Sequence, residues 1–431
     1  MAMREDGGLG RRVTLLTPLR QRDFALLWSG MTVSLLGDGI YFVAIAWQVY
    51  ALSNAPTALS VVGVAWTLPT VIFLLVGGAI SDRRERRRLL LAANLAEAVA
   101  IGLIGVLSVT GALELWMLFV LVAIYGAAEA FFIPAFDAIV PTLVGSEQFT
   151  AASALDQFVR PLTAQLLGPA LGGVLLAVTR PGVAFLVDAG TFLVSIALIL
   201  SMRRTPATTT SLAGKSLRAT MSEIADGFRF VRANPWLWGT LLGASLSLLA
   251  FFGPSQVLLP YLVKNRLHSS GGLFGVIRAG GGVGAIAGAL AIARSGLPRR
   301  RVTLMFVAWS AQSVLLVAYA VATGAWTFVL ISLLSGACGA SANVVWGSLM
   351  MTLVPDGLRG RVSSLDWMVS IGLIPLSFAI TGPIAQAVGA TTTLLAAGCL
   401  GGAAMIAFLA VPGVRDPERS GSSVPPDSLG G

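Results

Sequence analysis

The sequence predicts an all-α membrane protein, with twelve transmembrane helices in two pseudo-symmetric six-helix halves. Three observations predict it. Apolar residues fill 56% of the 431 positions and charged residues only 11%, about half the charged share of a soluble protein. Several uncharged runs are long enough to cross a bilayer, which takes about 20 apolar residues. Landmarks in the first half also recur in the second at one fixed spacing. The 49 glycines and 20 prolines fit this class, because packed membrane helices tolerate both.

No Asp, Glu, Lys or Arg occurs in 39–81, 233–263, 302–355 or 367–414. The first, third and fourth of these runs each hold two helices. Ser53-Asn54-Ala55-Pro56, Thr323-Gly324 and Gly389-Ala390-Thr391 supply the turns between them. With the segments interrupted by single charges, the spans fall at 24–49, 58–80, 89–109, 115–139, 152–178, 183–202, 237–262, 272–293, 302–322, 326–351, 364–387 and 391–412. These runs are too long and too unpatterned for barrel strands.

Twenty-four of the 29 Lys and Arg residues fall on the side that holds both termini and the even-numbered loops, so the positive-inside rule makes that side cytoplasmic. The first six-helix half is 1–202, with a cytoplasmic N-terminus at 1–23 that enters a full-length span. A cytoplasmic linker follows at 203–236, and the second half is 237–412. The Ser-, Pro- and Gly-rich tail 413–431 is expected to be disordered and cytoplasmic. Within the linker, Leu217, Met221, Ile224, Phe228 and Val231 recur at helical spacing. They predict a short amphipathic helix that lies on the membrane face or packs against the bundle ends.

The same arithmetic excludes other classes. The net charge of +9 is spread between apolar runs instead of forming one stripe, so no nucleic-acid partner is implied. Cys338 and Cys399 lie in separate apolar runs, and His268 is the only histidine; no metal site is expected. Gly280-Gly281-Gly282 lacks a phosphate-binding context, and no Walker sequence is present.

At an offset of 214, Val140-Pro141 recurs as Val354-Pro355, Gly168-Pro169 as Gly382-Pro383, and Arg86-Arg87 as Arg300-Arg301. Parallel repeats of this kind are one plan of secondary transporters, with substrate held between the halves. The local motifs then resemble the major facilitator superfamily. Gly78-Ala79-Ile80-Ser81-Asp82-Arg83-Arg84-Glu85-Arg86-Arg87 is similar to the family's loop signature, with Glu85 in place of the usual glycine. Gly168-Pro169-Ala170-Leu171-Gly172-Gly173 resembles the core of the antiporter motif of exporters. Gly37-Asp38, the run Glu129 to Ala135, and Pro355-Asp356-Gly357-Leu358-Arg359-Gly360-Arg361-Val362 resemble the macrolide, multidrug and siderophore exporter branch.

The resemblance implies a gating role for Asp82, Arg83 and Arg86, and a leak-preventing hinge at Gly168, Pro169, Gly172 and Gly173. Small residues at that spacing let two helices approach closely in any case. Exporters also often carry an arginine in the fourth span, which has none here.

Charge inside a membrane span is costly and marks candidate sites. Asp38 stands first, about fourteen residues into its span between Gly37 and Gly39; Glu129, Glu97 and Asp188 follow. Such a carboxylate could exchange protons, bind a cationic substrate, or make a buried structural hydrogen bond. Asp156 and Arg160, four apart on one helix, pair with each other. Arg278 either faces an acid or anion or reaches for the outer interface.

The expectation is a non-enzymatic antiporter of the cell membrane, a monomer without cofactor. Embedded in the lipid bilayer, it exports an amphipathic small molecule such as a drug, antibiotic or siderophore in exchange for protons. A nutrient symporter and a non-transporting receptor remain the alternatives.

Overall fold

The structure, a computed structural model, describes residues 16–81, 85–203 and 226–419. Among these residues there is no strand. Twelve helices are long and apolar enough to cross a membrane. They are α1 (Arg22–Leu52), α2 (Pro56–Ser81), α3 (Arg86–Thr110), α4 (Leu115–Val144), α5 (Gln148–Val178) and α6 (Pro181–Leu200), followed by α7 (Pro235–Asn265), α8 (Gly271–Ser295), α9 (Arg301–Val321), α10 (Ala325–Leu353), α11 (Asp356–Val388) and α12 (Ala390–Leu409).

The expected turns fall where they should. Pro56 opens α2, where its missing N–H costs nothing. Gly389, at φ +87°, closes α11 in a backbone conformation that glycine adopts without strain. The largest boundary error is at α11, which begins eight residues before the expected 364. Its first turns are polar and are held by an Arg359–Asp356 pair at 2.6 Å; apolar run length does not register such turns. The start of α5 is likewise polar and carries the expected Arg160–Asp156 pair at 2.7 Å.

Pairing within the first six helices repeats within the second. Helix α1 packs on α5 and α6, α3 on α4 and α6, and α2 on α4. Helix α7 correspondingly packs on α11 and α12, α9 on α10 and α12, and α8 on α10. Between the two sets, α2 meets α11 and α5 meets α8. The main apolar core runs through α1, α3, α4 and α6 and continues into α7, α8 and α9.

Glycines set the closest approaches. A Cβ on Gly39 would lie 2.7 Å from Gly168 Cα, and one on Gly253 would lie 2.3 Å from the Ser377 carbonyl. The two glycines, Gly39 of α1 and Gly253 of α7, are related by the 214-residue offset.

The helix ends that carry Arg86–Arg88 and Arg299–Arg301 form one face of the bundle. At the opposite, distal face, the Tyr50 hydroxyl donates to the Val257 carbonyl at 2.7 Å and Asn54 donates to Asn265 at 2.7 Å. Lys264 also donates to the Tyr50 carbonyl. These bonds tie the distal end of α1 to α7.

Of the linker helix expected at 217–231, residues before 226 lie outside the described part; 226–233 are helical. There Asp226 pairs with Arg229 at 2.7 Å and with Arg361 of α11 at 3.1 Å, so this portion packs on the bundle end. The tail differs from its expected disorder at its start. Val414 is buried, Asp416–Arg419 form a helical turn, and Glu418 binds Thr303.

Candidate functional site

The four singled-out carboxylates stand on α1, α3, α4 and α6, and the fold turns them toward one another. Asp38 and Glu129 act electrostatically on each other, and both, with Asp188, act on Glu97. Their surroundings divide them into two pairs. Glu97 is 4% exposed and Asp188 0%, whereas Asp38 and Glu129 are only half-buried. Asp188 is pressed against α1, since a Cβ on Gly37 would overlap its carboxylate. One Asp188 oxygen accepts from Thr191 at 3.3 Å; the other has no partner.

The accessible pair is held by aromatic donors. The Tyr125 hydroxyl donates to Asp38 Oδ1 at 2.8 Å, and Trp66 Nε1 donates to Glu129 Oε2 at 2.8 Å. Tyr125 and Glu129 are one turn apart on α4, so this helix holds Asp38 with one residue and presents a second carboxylate with the other. The rings extend the arrangement: Tyr41 packs on Tyr125 at 5.1 Å and Phe42 on Trp66 at 5.1 Å.

Tyr41, Phe42 and Trp66 also wall a cavity of about 50 Å³ between the two sets of helices. Gln256, Arg278 and Phe378 line its other side. The cavity holds water-sized groups only. Trp66, the donor to Glu129, thus lines the cavity directly, whereas Tyr125, the donor to Asp38, stands behind the lining residue Tyr41. Arg278 faces this interior and donates to Gln256 at 3.1 Å, so of the two expected placements it takes the inward one.

A basic residue of the fifth span reaches the fourth. Arg160 of α5 lies 5.5 Å from the Phe136 ring of α4, with Nη2 at 3.5 Å from Met31 Sδ of α1. It acts electrostatically on both Asp38 and Asp137. Directly after it, Pro161–Leu167 is a π-helical stretch. Such departures from α geometry in a membrane helix often accompany functional sites.

The glycine motif that follows serves two interfaces. Gly168 and Gly172 face α1, at Gly39 and Ile40, whereas Gly173 faces α8, where a Cβ would lie 2.9 Å from Gly275 Cα. Pro169 is buried beside Gly39. At the arginine-rich face, Asp82 and Arg83 lie outside the described residues. Arg86 donates to the Ala138 carbonyl at 2.9 Å, tying α3 to α4. Arg87 donates to Ile199 and Leu200 carbonyls at 3.0 and 2.8 Å.

Sequence reasoning found the carboxylates but missed Tyr125, Trp66 and Arg160 as their neighbours. A signal was present for two of them. A tyrosine and a tryptophan deep in apolar spans need acceptors for their polar atoms.

A twelve-helix bundle with paired repeats and an acidic, aromatic interior defines a membrane transporter, and known structures share the architecture. A bacterial homologue of the iron transporter ferroportin, solved in an inward-facing state, superposes with a TM-score of 0.67 over 91% of this chain and 99% of its own, at 18% identity. A bacterial homologue of the lysosomal transporter Spinster gives 0.66 over 93% and 97%, at 14% identity. The transmembrane secretion effector family model matches residues 13–426, and the chain belongs to that family of major facilitator transporters.

Relatives include the multidrug efflux pump Tap of Mycolicibacterium fortuitum, 27% identical over 86% of this chain and 91% of that protein. Macrolide efflux protein A of Streptococcus pyogenes is 22% identical over 88% and 93%. The enterobactin exporter EntS of Escherichia coli is 29% identical over 79% and 80%. The chain is thus a multi-pass membrane transporter and not an enzyme.

Proposed function

We propose that the protein exports an amphipathic small molecule across the cell membrane in exchange for protons, by alternating access between its two halves. The observation that carries this reading is the half-buried pair, Asp38 held by Tyr125 and Glu129 held by Trp66, behind the aromatic lining of the cavity between the halves. Ionisable side chains within membrane spans are costly and recur in proton relays, which suits this pair to exchange a proton during a cycle. The flat rings beside it suit an apolar or aromatic substrate body. The efflux relatives support the outward direction.

In this reading Asp38 and Glu129 alternate between proton and substrate. Glu97 and Asp188, sealed behind them, set the local field. The distal bonds of Tyr50, Asn54 and Lys264 close the outer end, so this arrangement is the one open to the cytoplasm. Asp82, Arg83 and Arg86 steady the cytoplasmic ends, and the span-5 glycines keep the moving halves in contact. Both termini are cytoplasmic, the chain works as a monomer in the bilayer, and the proton gradient replaces any cofactor.

The test uses inverted membrane vesicles with an imposed pH gradient and a panel of macrolides, dyes and siderophores. Asp38→Asn should abolish proton-driven movement of the transported compound while the variant still reaches the membrane. Full retention of coupled movement would remove Asp38 as the proton site. Gradient-driven accumulation of the compound by intact expressing cells would identify an importer instead.

A further inference from the structure

On the arginine-rich face of the second half, α8, α9 and α10 leave an open groove of about 730 Å³ that takes no part in the central site. Its origin is steric. A Cβ on Gly288 would lie 2.3 Å from the Ala337 carbonyl, so α8 is drawn tightly onto α10 while α9 stands apart. The walls are small and apolar, with Ala291 from α8, Val307 and Ala311 from α9, and Ala337 from α10. These residues belong to membrane-crossing helices, and Ala291 and Val307 are exposed. The groove therefore opens to the surroundings of the bundle and not to its interior.

The mouth has the opposite character. Arg300 lines it, and Arg294, Arg299 and Arg301 crowd the same loop. None of the four side chains has a hydrogen-bond or ion-pair partner among the described residues. No Asp or Glu occurs anywhere between 227 and 355, so this part of the chain offers them no acid. One oxyanion does already bind here. The Glu418 carboxylate accepts from the Thr303 N–H at 2.6 Å and from its hydroxyl at 2.9 Å, at the start of α9. Thr303 itself lines the groove.

We propose that this groove binds an anionic phospholipid, with an acyl chain between α8 and α9 and the phosphodiester at Arg300. Hydrocarbon covers the apolar walls, which a water-soluble anion would leave bare. Basic pockets between helices on the cytoplasmic side hold anionic headgroups, and anionic lipid is attracted to such segments in that leaflet. Glu418 occupies the neighbouring α9 donors, which leaves the phosphate to the arginines.

Native mass spectrometry of the full-length protein, loaded with equal amounts of phosphatidylglycerol and phosphatidylcholine, tests the proposal. Phosphatidylglycerol should be retained in preference. Arg300→Gln should lower its retention about five-fold without changing that of phosphatidylcholine, and Arg300→Lys should restore it. Ala291→Phe, which fills the groove from an exposed position, should lower retention of both lipids. Melting temperatures in detergent should match the parent protein for all three variants. Equal retention of both lipids by the parent, or unchanged phosphatidylglycerol retention in Arg300→Gln and Ala291→Phe, overturns the proposal. Displacement of the lipid by glycerol 3-phosphate also overturns it, because the site would then recognise a soluble phosphate.

Discussion

The two halves share a helix-pairing scheme and divide the chemistry unequally. Helices α1, α3, α4 and α6 bring four carboxylates together. Their counterparts α7, α9, α10 and α12 contain no acidic residue at all. At the 214-residue offset Asp38 corresponds to Phe252 and Glu97 to Ala311. The contact beside Asp38 is nevertheless preserved, since Gly39 meets α5 as Gly253 meets α11. The backbone requirement for close packing thus survives in both halves, while ionisable groups are concentrated in one. A cavity between such halves has an acidic wall behind its aromatics on one side and Gln256, Arg278 and Phe378 on the other.

The steepest test of this comparison addresses what the halves share. Gly275 of α8 sits so close to α5 that a Cβ would lie 2.3 Å from Gly173 Cα. Gly275→Val should destabilise the protein by about 1–3 kcal/mol or more, the usual cost of overpacking, and should reduce transport together with thermal stability. Gly347→Ala, where nothing lies within 4 Å of the new Cβ, should melt with the parent protein. Equal melting of the Gly275→Val variant would show that the α5–α8 contact is not fixed.

A smaller effect addresses what they do not share. Tyr125→Phe deletes the donor to Asp38 and leaves the ring packing on Tyr41. Hydrogen bonds to charged groups contribute about 1.5–3 kcal/mol, so coupled transport should fall by about tenfold or more if Asp38 is charged during the cycle. Trp346→Phe deletes a comparable bond in the second half, from Nε1 to Asp366 at 3.0 Å. It should change transport by less than about twofold. Equal losses from the two variants, measured as initial rates in inverted vesicles, would mean that the acidic half has no privileged role.

Much of this division was legible in the sequence, because membrane insertion makes charge rare enough to count. Span number, turn positions and the four carboxylates all follow from run length and charge placement. The polar start of α11 did not, because Asp356 and Arg359 form a helical turn that an apolar-run criterion passes over. Nor did the company kept by Asp38. Tyr125 and Arg160 reach it from α4 and α5, and only the packing angle of those helices decides which residues converge. The π-helical stretch in α5 was not legible either. It covers Pro161–Leu167, directly before the Gly168-Pro169 motif, and opens on Pro161, which cannot donate to the helical ladder. The corresponding interruption in α11 is at Leu373, between Asp356–Gly372 and Ile374–Val388.

The mildest test compares two arginines that the repeat places in register. Arg87 and Arg301 are related by the 214-residue offset and look alike as positive-inside charge. Their surroundings differ. Arg87 donates to the Ile199 and Leu200 carbonyls at the C-terminus of α6, where carbonyls lack helical donors and a positive charge is favourable. Both stand in the first turn of a helix, but the Arg301 side chain has no such partner among the described residues. Arg87→Gln should therefore lower stability in detergent by about 1 kcal/mol, and Arg301→Gln should lower it by nothing measurable or raise it slightly. A matched loss from both variants in thermal unfolding would mean that the arginine clusters act only as topological charge. A loss confined to Arg87→Gln would extend the asymmetry of the halves from the interior to the face of the bundle.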